Sequence, residues 1–206
     1  MTDCCNDKTC EIEALRAKQT STLKAVLAIN AVMFVVELAA GLAAGSVSLV
    51  ADSLDMLGDA LVYGFSIYAV VREARHKAIS ALLKGGIMAA FGLMVLAQAG
   101  YKSLYPHAPV VELIGSIGVL ALAANCLCLA LLWRHRADDI NMSSVWLCSR
   151  NDIIANVSVL VAAVGVWWSG SGWPDIIIGV GLAGLFLRSA VFVLRGAIAE
   201  LRAAHA

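Results

Sequence analysis

Charge is scarce in this chain. Only 15% of the 206 residues are Asp, Glu, Lys or Arg, while 61% are hydrophobic and the mean hydropathy is +0.83. A soluble domain is about a quarter charged, so this composition excludes that class and implies a polytopic membrane protein. A cleavable leader is not expected either. The first 20 residues, MTDCCNDKTCEIEALRAKQT, contain no apolar core, so the first apolar helix is expected to act as its own insertion signal. No phosphate-binding loop of the P-loop type occurs, which removes ATP as an obvious energy source. None of the six cysteines (4, 5, 10, 126, 128 and 148) falls in an outward loop, so a disulfide framework is not expected.

What is present is apolar helix. A helical span needs about 20 apolar residues, and six such stretches are read at roughly 22–44, 47–71, 85–105, 110–133, 145–168 and 174–194. The expected fold is therefore all-α, with six transmembrane helices in one bundle. Residues 1–20 form a Cys-containing tail, 21–196 the six-helix transmembrane domain and 197–206 a short C-terminal stub. Lys and Arg concentrate before span one, between spans two and three and between four and five, and after six, whereas the opposite loops carry only Lys102. The positive-inside rule then assigns both termini to the cytoplasm. Gly41 and Gly45, four apart in span one, offer a close helix approach.

Against that background ADSLDMLGDA, residues 51–60, places three aspartates in an apolar span. A charge at the bilayer centre is costly and normally faces the bundle interior. Asp55 and Asp59 are four apart, hence on one helix face with Cβ atoms about 5–6 Å apart. Asp52 lies on nearly the same face, nearer the outer surface. In span five, WLCSRNDIIANVSVL repeats the spacing with Cys148 and Asp152, and Asn156 continues that face. Two helices that each offer two ligands at i and i+4 can surround one ion with four, the number of a tetrahedral Zn²⁺ site. The competing reading is structural: the acids pair with Arg150 or bond to Ser and Asn across helices.

These residues also carry a resemblance. The span-two stretch LVADSLDMLGDALV, the span-five pair and the Pro174–Asp175 that opens span six resemble the cation diffusion facilitators, over about residues 22–196. The resemblance implies a six-span exporter of divalent metals in exchange for protons, not an enzyme, without a resident cofactor, and working as a homodimer. Its transport site would fall on Asp55, Asp59, Cys148 and Asp152. The expected partners are the metal ion (Zn²⁺ first, Cd²⁺ or Co²⁺ next), protons and the lipid bilayer of the cell (inner) membrane, with no nucleic acid. Cys148 departs from the His typical of the family, and a thiolate favours softer ions. Asn151 or a water is the alternative fourth ligand. The family's C-terminal cytoplasmic domain is not expected here, because the chain stops about ten residues after span six.

Other polar groups draw weaker expectations. Cys4, Cys5 and Cys10 are either incidental thiols of the tail or soft ligands near the cytoplasmic mouth. Cys126 and Cys128 point to different helix faces and are read as packing residues. Glu37, Asn30 and Gln98 are expected to face inward, and His76 to lie on the surface. Two further readings stand beside transport by the aspartates. One is a thiol-based carrier or metal-binding membrane protein using Cys4, Cys5, Cys126 and Cys128. The other is an intramembrane aspartyl protease, for which MLGDA is only a partial match to GxGD.

Overall fold

The computed structural model describes the backbone of residues 3–69, 74–105, 107–133 and 140–203, and the side chains of 21–61, 64, 82, 83, 85–105, 107–133, 152–199 and 202. Six helices follow one another: α1 (Asp3–Ala44), α2 (Val47–Ala69), α3 (Ala74–Leu104), α4 (Val111–Trp133), α5 (Ile140–Ser169) and α6 (Trp173–Ala203). α1, α3, α5 and α6 extend beyond the apolar runs, most of all at the start of α1, α3 and α5 and the end of α6, while α2 and α4 stay within two residues of theirs. The reason is physical. Hydropathy marks where lipid begins, but helical hydrogen bonds continue into polar flanks rich in helix-forming Ala, Leu, Glu and Arg. The stretch INMSS, which precedes the fifth apolar run, is thereby the first turn of α5.

Among the described residues, five helices are long and apolar enough to cross a membrane: α1, α3, α4, α5 and α6. The 23-residue α2 has sufficient length, but Asp52, Asp55 and Asp59 dilute its hydropathy.

The described stretches of α1, α3, α4, α5 and α6 bury a seam at three- and four-residue steps, the period that keeps one face of a helix against its neighbours, whereas α2 is buried on all sides from Val47 to Leu54. On α4 the buried residues are Ile114, Gly118, Ala121, Asn125, Cys128 and Leu132. On α3 they are Gly85, Met88, Gly92, Val95 and Ala99. The opposite faces carry exposed Val32, Val35, Leu93, Val119, Val161 and Phe192, which suit lipid rather than water. Polar residues occupy the seams: Asn30 and Glu37 on α1, Asn125 on α4, Asp152 and Asn156 on α5 are all buried.

Packing does not simply follow chain order. α3 packs most extensively on α6, α1 on α2, and α4 on α5, while α2 meets α5 over a short stretch only. Small residues permit the α3–α6 approach: a Cβ on Gly85 or Gly92 would stand 2.7 Å from Leu194 or Leu187. Gly41 plays the same part between α1 and α2, where a Cβ would meet Val50 Cγ2 at 2.7 Å. Gly45, expected to pair with it, does something else. At φ 63° it ends α1, with Gly45 N–H bonded to Leu42 O (3.2 Å) and Ser46 N–H to Gly41 O (2.8 Å), a Schellman closure that a residue with a Cβ adopts only under strain.

Candidate metal-transport site

The depth of the α2 aspartates is set at the helix start. Ser46 is the N-cap of α2, its Oγ accepting from Leu49 N–H at 3.1 Å. The next two free N–H groups find their acceptor on another helix. Asp175, in the first turn of α6, accepts from Val47 N (2.7 Å), Ser48 N (3.1 Å), Ser46 Oγ (2.6 Å) and Ser48 Oγ (2.6 Å). One carboxylate thus serves the positive ends of two helices, where a negative charge is favourable. The Pro–Asp pair drew notice in the sequence only through a resemblance; its structural task is to staple α2 to α6.

Two to three turns further along α2, the three aspartates line a cavity of about 670 Å³. Asp152 of α5 lines it too, and its side chain is close enough to interact with that of Asp55. Asn156, one turn on, donates from Nδ2 to the Asp152 carbonyl at 2.7 Å. The structure therefore brings together three of the four expected ligands, Asp55, Asp59 and Asp152, at one cavity between α2, α5 and α6. Neighbouring carboxylates disfavour each other's charge, which a proton or a cation between them relieves.

Cys148 sits on α5 one turn before Asp152, but its side chain lies outside the described residues, as do those of Arg150, Asn151, His76, Cys4, Cys5 and Cys10. Among the described residues, no three His, Cys, Asp or Glu side chains gather closely enough to hold a metal ion. A cavity of this size accommodates aspartates that face it without converging, so lining and coordination are separate observations.

The remaining thiols are distributed as expected for packing. Cys128 is buried with Leu23, Val26 and Leu132 and accepts from Asn30 Nδ2 at 3.8 Å, whereas Cys126 is exposed. They do not form a joint site. One cavity residue escaped the sequence reading altogether: Arg188 of α6 lines the same space as the aspartates. The signal is a lone Arg inside the apolar run GLFLRSAVFV.

Residues 23–202 match the family described as the cation efflux transmembrane domain. The metal cation efflux system protein CzcD of Cupriavidus metallidurans is 25% identical over 185 residues, covering 84% of this chain and 58% of that protein. The zinc transporter ZitB of Escherichia coli is 25% identical over 187 residues, covering 84% of this chain and 59% of its own. The chain thus spans less than two thirds of the curated relatives it matches.

Proposed function

Because the chain belongs to the cation efflux transmembrane-domain family, we propose that it exports divalent transition-metal cations, Zn²⁺ first and Cd²⁺ or Co²⁺ next, in exchange for protons. The observation that carries this reading is the meeting of Asp55 and Asp152 at a carboxylate-lined cavity where α2 and α5 come together. Asp55, Asp59, Cys148 and Asp152 are the proposed ligands of the transported ion, three hard oxygen donors and one soft thiolate. The names of CzcD and ZitB, a metal cation efflux protein and a zinc transporter, support this choice of cargo.

Moving a dication outward against a negative-inside potential costs about 2 × 2.3 kcal/mol per 100 mV, so a second gradient must drive it. The proposed ligands provide the coupling, since metal binds their deprotonated forms and protons compete for the same atoms. The cavity runs along α6 as far as Val193, toward the end of the bundle that holds both termini. With those termini in the cytoplasm, as the Lys and Arg bias indicates, this is the loading side. Release follows when the same carboxylates face the proton-rich side. The proposed working form is a homodimer in the cell (inner) membrane, its lipid-facing surface being the exposed apolar faces of the helices.

The test is metal flux into proteoliposomes with an interior pH dye, comparing wild type with Asp59→Ala. Metal-dependent proton movement that disappears in the variant supports the reading, and normal flux in Asp59→Ala rejects it. The thiol carrier is the weaker alternative, because Cys126 and Cys128 point to different surroundings.

A further inference from the structure

Asp52 is the aspartate that the proposed ligand set leaves over. It is 1% exposed, and neither of its carboxylate oxygens has a hydrogen-bond partner. Facing it from α1 is Glu37, 0% exposed and equally without a partner at both oxygens. The two are close enough for their charges to interact, and Glu37 also senses Asp55. Four buried carboxylate oxygens without one donor form an arrangement that proteins avoid unless the groups have a task.

Among the described residues, no cation is bonded to either carboxylate. Around Glu37, α2 presents Asp52 and Asp55. The titratable groups of α4 are Glu112 near its outer end, the exposed Cys126, and Cys128 beside Asn30. Around Asp52, α5 adds Asp152. Lys102 of α3 lies at the outer end beside Gly45, where Asp175 of α6 is committed to the start of α2. Arg188 of α6 stands at the cavity wall. Glu37 does not line the cavity, so an ion in that cavity does not reach it, whereas a proton needs no such room.

We propose that Glu37 and Asp52 form a proton-carrying carboxyl pair, distinct from the metal ligands, which holds protons while the site is free of metal and gives them up when the dication arrives. The inference deepens the proton exchange proposed above and rests on it. The linkage is electrostatic. A dication at Asp55 supplies the positive charge that protons otherwise supply to the adjacent carboxyls, so loading on one side and proton release are reciprocal, as are unloading and proton uptake on the other. On loading, Asp52, which lines the cavity, gives its proton to the cavity water and Glu37 gives up its own by way of Asp52; both regain one after release, so charge and protons balance over the cycle.

The experiment measures protons moved per Zn²⁺ in proteoliposomes, together with Zn²⁺ affinity by calorimetry, for wild type, Glu37→Gln and Asp52→Asn. The expected result is a proton-to-metal ratio lower by up to about one for each carboxyl removed, with Zn²⁺ affinity weakened by no more than about tenfold through the lost linkage. An unchanged ratio in both variants overturns the proposal. Loss of Zn²⁺ binding overturns it in favour of a ligand role. Should Glu37→Gln fail to insert, Asp52→Asn, on a different helix, carries the same test. Wild-type Zn²⁺ flux without proton movement overturns the exchange reading itself, and is thereby distinguished from failure of this inference alone.

Discussion

Asp55 of α2 and Asp152 of α5 line one cavity, close enough for their side chains to interact, across a helix pair that otherwise touches little. The two acids are 97 positions apart, and they meet only because α2 and α5 each turn their polar seam to the same cavity. If that contact marks the ion's position, either acid is indispensable for binding. Asp55→Asn and Asp152→Asn preserve size and hydrogen bonding while removing charge. Each is expected to weaken Zn²⁺ binding at least about 100-fold, more than the 10–100-fold typical of groups that only support a ligand. Calorimetry on purified protein checks this, and binding within about threefold of wild type for both would remove them from the ligand set.

The staple at the start of α2 makes a different prediction, about stability. Asp175→Ala leaves Val47 N–H, Ser48 N–H and two serine hydroxyls without their acceptor in a buried place. Each orphaned donor costs about 1–3 kcal/mol, so a loss of more than about 3 kcal/mol is expected. Thermal melting in detergent should drop markedly, and flux should fall through loss of protein rather than through a changed apparent KM. A wild-type melting temperature would mean that the start of α2 is held by something else.

Close packing between α1 and α2 yields a third. Gly41→Leu drives a side chain into Val50, whereas Gly86→Ala meets nothing within 4 Å. The first is expected to cost about 1–3 kcal/mol by overpacking and to displace the aspartates on α2; the second serves as its neutral control. Equal behaviour of the two variants in melting and flux would contradict the observed helix approach.

Proton competition fixes the sign of the pH dependence. In the proposed mechanism the metal-free site binds more protons than the loaded one, so lowering the pH favours the metal-free form. Zn²⁺ affinity must therefore fall as pH falls, by about tenfold per pH unit for each proton displaced. Calorimetric affinities at several pH values measure that slope. A flat profile across the range of carboxylate titration would break the coupling between protons and metal.

Much of this architecture was legible in the residues, for identifiable reasons. Aspartates in an apolar span have few places to go, so Asp55, Asp59 and Asp152 announced a polar interior before any helix was placed. The expectation that Cys126 and Cys128 serve packing follows from helical geometry, and Cys128 does sit among Leu23, Val26 and Leu132. Other features depend on tertiary contact and could not be read. Gly45 has the same composition signal as Gly41, but ends a helix instead of lining one. Asp175 looked like one more residue of a span opening, because its partners lie 127 to 129 positions away. Arg188 is a single charge in an apolar span, but which cavity it lines depends on how α6 packs.

The most direct test of the central claim is zinc K-edge X-ray absorption on the purified, Zn²⁺-loaded protein, for wild type, Cys148→Ser and Asp59→Asn. The account predicts three oxygen donors at about 2.0–2.2 Å and one sulfur at about 2.3 Å, the sulfur shell vanishing in Cys148→Ser and bound zinc being largely lost in Asp59→Asn. A first shell that neither substitution alters would place the ion away from α2 and α5 and contradict the site.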